Sequence, residues 1–197
     1  MVTTGFSDIH VAKYAEAGGM VTYTGCRKLA RSKSMDISVT AMDANNFYAD
    51  DVLAESETAA FKEGQAKVVV DGLDGDEEAF ILGIEESTVQ VGDKSVPVIK
   101  FGKNMNPPYL GLGAVKRMML RGVESYRAVI LCKTRFAVPA EAAETREEQT
   151  SWQTQELNAT IMRDDTAEAN WKIIPKTNFA TKDEAIAFIK AILGGAA

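Results

Sequence analysis

Residues able to do acid–base or covalent chemistry are few and scattered in this chain. His10 is the only histidine. An imidazole works as a base when a nucleophile and an orienting partner stand beside it, and no such motif accompanies His10. One histidine cannot make a zinc site either, because zinc takes three or four ligands at set spacings. A packing role in the core is expected. Cys26 and Cys132 are the only cysteines, too few and too far apart for a disulfide framework or a metal knuckle, so they read as two reduced thiols.

The carboxylates form two groups. Asp50, Asp51, Glu55 and Glu57 could in principle supply the acid and base of glycoside hydrolysis. Nothing around them suggests a sugar cleft, and a solvated loop that contacts a neighbour is the expectation. Asp71, Asp74, Asp76, Glu77 and Glu78 fail the spacing and the central glycine of a calcium loop; they suit the first turn of a helix. Gly111-Leu-Gly113-Ala-Val-Lys116 starts like a dinucleotide fingerprint but lacks the third glycine and runs into a strand. Close backbone approach within a sheet explains those glycines better. Gly102-Lys103 has Pro97 where a phosphate loop needs its first glycine. Trp152 and Trp171 flank the last predicted hairpin and are expected to pack or to meet a subunit. The sequence therefore assigns no catalytic residue, no cofactor and no metal ligand. It reads as a non-enzyme.

The elements that carry these residues are mostly strands. Met35, Ile37, Val39 and Ala41 alternate with Asp36, Ser38 and Thr40, and Ala66, Val68 and Val70 alternate with Gln65 and Lys67. A hairpin is predicted from Thr88–Val91 and Ser95–Phe101 through Gly92-Asp93-Lys94. A longer pair spans Tyr109–Leu120 and Ser125–Phe136, and a last pair spans Gln155–Arg163 and Asn170–Pro175. Two helices interrupt them. One runs to Leu82 behind Asp74 and stops at Gly83. The other starts at Thr181 with Glu184 completing a capping box and shows an apolar stripe of Ala185, Phe188, Ile189 and Ile192. That stripe is expected to lie on the protein's own sheet. Asn45 to Phe61 and Pro139 to Thr150 show no sustained period and read as loops.

With 197 residues and no repeat or linker, one domain is expected over 1–197. The fold class is mainly β: a sandwich or barrel of two packed antiparallel sheets with one or two short helices. The apolar run Ala128 to Cys132 falls far short of the roughly 20 residues of a membrane span, and the N-terminus has no basic and apolar leader pattern. Folding in a cytoplasm is expected, without a membrane partner. The net charge of −6 lacks the cationic surplus of a nucleic-acid binder.

In this order the segments resemble the major tail proteins, or tail tube proteins, of long-tailed phages with non-contractile tails. Asn46-Phe-Tyr-Ala-Asp-Asp51 with Glu55 looks like that family's loop after an early strand. Glu63-Gly64 leading to Val68-Val-Val70, the helix ending at Leu82-Gly83, Pro107-Pro-Tyr-Leu-Gly-Leu-Gly113 and Tyr126-Arg-Ala-Val-Ile-Leu-Cys-Lys133 with Phe136 follow in turn. Thr145, the Trp152 and Trp171 segments and the helix at Ala185–Ile189 complete the series, which covers Asp36 to Ile192.

The resemblance implies a fold shared with the type VI secretion tube, and a structural virion protein located in the tail after assembly in the host bacterial cytoplasm. It implies hexameric rings stacked into a tube, with the tape measure protein and other tail proteins as partners. Double-stranded DNA would pass through without specific binding. An extended loop over 45–62 and an N-terminal arm over 1–15 would join the rings. Phe47, Tyr48, Asp50, Asp51, Glu55 and Glu57 are the implied interface residues, and Asp36, Ser38 and Thr40 the implied lumen face. Two other readings stay open: the tube of a phage-like or secretion particle, and a β-sandwich ligand-binding or decoration module.

Overall fold

The computed structural model describes residues 1–43, 46–56, 60–103, 105–140 and 153–195. β1 (Val2–Ala17) and β2 (Met20–Lys28) open the chain, followed by β3 (Ser32–Ala41), β4 (Asn46–Ala49), β5 (Val52–Ser56) and β6 (Phe61–Val70). Next come α1 (Gly75–Leu82), β7 (Glu86–Val91), β8 (Lys94–Ile99), β9 (Leu110–Leu120) and β10 (Val123–Phe136). β11 (Gln155–Met162), β12 (Lys172–Ile173) and α2 (Lys182–Ile192) complete it. The protein is mainly β; among the described residues all ladders are antiparallel, and two helices accompany them. Among the described residues no helix is long and apolar enough to cross a membrane.

The main sheet has the order β2-β1-β9-β10-β11-β6-β3, with β12 added to β10. β10 is the corner. Its first part pairs with β9 as far as Leu131, the register then shifts, and Lys133–Phe136 pair with β11. One ladder thus becomes two facing layers, as in a sandwich whose strands switch sheets at a bend. Ile9, Val11, Leu110, Leu112 and Leu131 from one layer meet Ala66, Val68, Leu157 and Ile161 from the other in one core cluster.

Sequence alternation marks the second layer because only its inner face is covered. β6 and β11 bury every other residue. β1, β9 and β10 are covered on both faces, so Leu110–Val115 and Ala128–Cys132 are buried without a break. Their outer cover is α2. Ala185, Ile189 and Leu193 pack on Ala12, Val115, Ala128 and Ile130, as the apolar stripe predicts. Both capping boxes form: Asp74 with Glu77 and Thr181 with Glu184.

Three expectations change. The expected N-terminal arm is β1, paired with β2 on one side and β9 on the other. Asp8, with φ 54°, marks a register shift there, and the shift breaks the period-two pattern that would have revealed a strand. The second member of the last pair, Lys172–Ile173, joins β10 at Ile130 and Leu131 instead of β11. The extended loop over 45–62 contains a hairpin, β4–β5.

Candidate assembly surfaces

Several of the residues singled out for chemistry are buried or packed within the fold. His10 is 5% exposed, and its Nδ1 lies 3.1 Å from the Asp8 carbonyl oxygen. Burial lowers its pKa from the usual value, so the ring is neutral at pH 7. Burial pushes the Cys132 thiol up to about 12 and raises that of Cys26, which is half-buried; a protonated thiol is a poor nucleophile. Among the described residues no group of three or more His, Cys, Asp or Glu is placed to share a metal ion. Gly111 and Gly113 receive α2: a Cβ on Gly113 would stand 2.4 Å from Ile189 Cγ2, and one on Gly111 2.6 Å from Leu193 Cδ2. Trp171 stacks on Phe61 with 4.8 Å between ring centroids. Trp152 and Thr145 lie outside the described residues.

Asp36, Ser38 and Thr40 do share one exposed face of β3. The register continues that face across the second layer. Asp36 stands opposite Lys67, Ser38 opposite Gln65 and Thr40 opposite Glu63 on β6. Lys67 and Gln65 in turn face Asn158 and Thr160 on β11, and Thr160 faces Arg135 on β10. Lys67 Nζ lies 2.7 Å from Glu156 Oε2, and that bond draws the Glu156 carboxyl below its usual range. Asp36, Glu63 and Glu156 stand here with Lys67, Lys133 and Arg135, and Lys133 is itself paired with Asp165 at 2.6 Å. It is a four-stranded, polar face of mixed charge. The alternation of β6 and β11 carries half of this in the sequence, but the order of strands that joins them to Asp36, Ser38 and Thr40 is not written there.

The other predicted group sits on β4–β5. Its strands register Phe47 with Glu55 and Ala49 with Val52, and the turn residues Asp50 and Asp51 both have positive φ, 52° and 62°. Such a turn matches the strand twist and accepts Asp better than most residues. Asp50, Asp51 and Glu55 are exposed, and among the described residues none of them forms an ion pair. Glu57 lies outside the described residues. The hairpin makes no ladder with the main sheet.

A second free hairpin, β7–β8, pairs Val89 with Val96, and those two with Val91 are exposed on one of its faces. Isolated two-stranded hairpins are marginal in water. Among the described residues β2 and β3, the ends of the main sheet, each have a single ladder partner, an edge position that leaves backbone groups for further pairing.

The described residues form a mainly antiparallel β-sandwich with a broad polar face, two edge strands and two hairpins outside the main sheet. No protein-family model matches the chain, and no curated protein is similar to it.

Proposed function

We propose that this chain is a structural virion protein, a tail tube subunit that assembles through its edge strands and hairpins into hexameric rings. The rings stack into a hollow tail that conducts double-stranded DNA into a bacterial host, with the tape measure protein and other tail proteins as partners. The observation that supports this reading is the polar face of mixed charge on β10, β11, β6 and β3, bounded by the edge strand β3. If four strands from each of six subunits join into one continuous barrel at ~4.8 Å spacing, they enclose a channel roughly 37 Å across before strand tilt widens it. That leaves room for a nucleic-acid duplex inside the side chains.

Asp36, Ser38 and Thr40 would then line the lumen beside Lys67, Gln65 and Asn158. A wall of mixed charge without a cationic surplus does not hold a phosphate backbone. Ring closure would also remove the open strand edges that endanger a monomer. β4–β5, with Phe47, Tyr48, Asp50, Asp51, Glu55 and Glu57 in or beside it, would join subunits.

The test is negative-stain electron microscopy of concentrated protein, together with its mass in solution. Hollow tubes or six-fold rings with a central channel are expected. A monomer at every concentration, with a ligand-induced rise in melting temperature, would replace this reading with that of a ligand-binding module.

A further inference from the structure

The two layers are open at the end from which the β4–β5 hairpin projects. The β3–β6 ladder ends there at Ala41 and Phe61, and the β9–β10 ladder at Leu120 and Val123. Because every intervening ladder is antiparallel, both ends lie on the same side of the sheet. Two adjoining clefts occupy this opening. One, of about 370 Å³, lies between Val39 on β3 and Val129 on β10, with Trp171 as a wall. The other, of about 590 Å³, lies between Met1, Leu120 and Val123 and the segment Lys176–Asn178. Arg127 lines both. The floor is apolar and open to solvent, with Val123 69% exposed and Leu120 45%.

The charge of this opening runs against the composition of the chain. Five cations line it (Lys116, Arg121, Arg127, Lys172 and Lys176) and no carboxylate does, although acids outnumber bases 28 to 22. Among the described residues none of the five forms an ion pair. Arg127 Nε donates to Asn178 Oδ1 at 2.8 Å, and Lys172 Nζ stands 4.5 Å from the Trp171 ring centroid. An apolar floor with unneutralised cations around it fits an acidic segment that also carries apolar side chains.

We propose that the occupant is the β4–β5 hairpin of an adjacent copy of this chain, a proposal that rests on the self-assembling reading above. The hairpin presents Asp50, Asp51 and Glu55, exposed and without ion pairs, next to Val52, which is 65% exposed. Docking buries Val52 on the apolar floor and sets the carboxylates against the cations. Hairpin and opening share one end of the molecule, so the contact is made between copies lying side by side. Each copy gives a hairpin to one neighbour and takes one from the other, a heterologous contact that closes into a ring. Charge pairs at the rim select register and speed encounter, so the contact weakens as salt screens it.

The test is zero-length carbodiimide coupling of the full chain, mixed from two isotopic labels so that bonds between copies are told from bonds within one. Bonds from Asp50, Asp51 or Glu55 to Lys116, Lys172 or Lys176 between copies are expected. Asp51→Lys or Lys176→Glu alone should weaken association by about tenfold, and the two together should recover most of it. Asp50→Asn with Asp51→Gly removes both charges while keeping the turn, and should also weaken association; unchanged melting temperatures show that these variants fold.

Bonds confined within one copy, or reversals that fail to rescue each other, overturn the docking. Binding of a short DNA duplex by a protein that gives no bonds between copies also overturns it, and makes the opening a phosphate site. Hollow tubes without these bonds defeat the docking and leave the tube reading standing. Rings that show the bonds but never form a tube do the reverse.

Discussion

Replacing Asp8 by Asn should destabilise the protein at neutral pH, and the loss should fade in acid. Asp8 is 7% exposed and sits where β1 shifts register. Its Oδ1 is 2.9 Å from Lys28 Nζ on β2 and its Oδ2 is 2.5 Å from Lys182 Nζ, the first residue of α2. The carboxylate therefore ties three elements together. Burial alone would raise its pKa, but hydrogen bonds from Lys182, Lys28 and Ser7 outweigh burial and hold the carboxyl well below the ordinary 3.8. Asn keeps the size and accepts the left-handed backbone that Asp8 adopts at φ 54°, so the substitution removes charge without adding strain.

A hydrogen bond to a charged group contributes about 1.5–3 kcal/mol. The two lysine side chains are 53% and 44% exposed and regain water when released. The expected cost is thus about 2–3 kcal/mol in all, below the sum for two such bonds. The folded pKa is depressed, so the stabilisation is complete above the unfolded value and is lost as pH falls through the folded one. Urea unfolding of both proteins from pH 7 downward should show a constant gap to about pH 5 that narrows below 3.8. His10 also takes up a proton on unfolding in mild acid, because its folded pKa is lowered; it does so equally in both proteins and cancels from the gap. Equal stability at pH 7, or a gap that persists unchanged to pH 2, would refute the reasoning.

Gly113→Ala places a methyl group 2.4 Å from Ile189 Cγ2 and should lower stability by about 1–3 kcal/mol in urea unfolding. Combined with Ile189→Ala, which alone leaves a cavity costing about 2–5 kcal/mol, it should cost at least ~1 kcal/mol less than the sum of the two single changes. Cys132, fully buried with its thiol pushed up to about 12, should resist alkylation at pH 8 until the protein unfolds, while half-buried Cys26 reacts first; mass spectrometry of trypsin fragments reads the order. Loss of His10 as His10→Gln should flatten the fall in stability between pH 6.5 and 5, since burial depresses the folded pKa of that ring from 6.5.

What the sequence conveyed follows from how each strand is covered. Met35, Ile37 and Val39, like Ala66, Val68 and Val70, belong to a layer with one covered face, and there period two is legible. β9 and β10 read as strands because their buried runs, Leu110–Val115 and Ala128–Cys132, are too short for helices and are joined at Arg121-Gly122. Both turn residues have positive φ, 51° and 81°. β1 was hidden by its own irregularity: register shifts at Gly5 and at Asp8 move side chains between faces within sixteen residues. The acidic group at Asp50 and Asp51 was legible as a projecting segment, whereas its hairpin depends on two aspartates with positive φ, which no alternation announces. The cationic opening was invisible because Lys116, Arg121 and Arg127 of the β9–β10 hairpin are brought beside Lys172 and Lys176, more than forty residues further along the chain, only by the fold.

The distribution of charge ties these surfaces to one another. A chain of net charge −6 that merely stayed soluble would spread its acids over the whole exterior. Here the face of β10, β11, β6 and β3 mixes both signs of charge, and among the described residues no carboxylate lines the opening between the layers. Acids stand on the turn of β4–β5 and in the first turns of α1 and α2. α1 and α2 use theirs in capping boxes, so those acids are explained by folding alone. Among the described residues Asp50, Asp51 and Glu55 form no ion pair. In the docking proposed above, this acidic hairpin would meet the basic opening of another copy, so that one chain would carry both of the complementary surfaces.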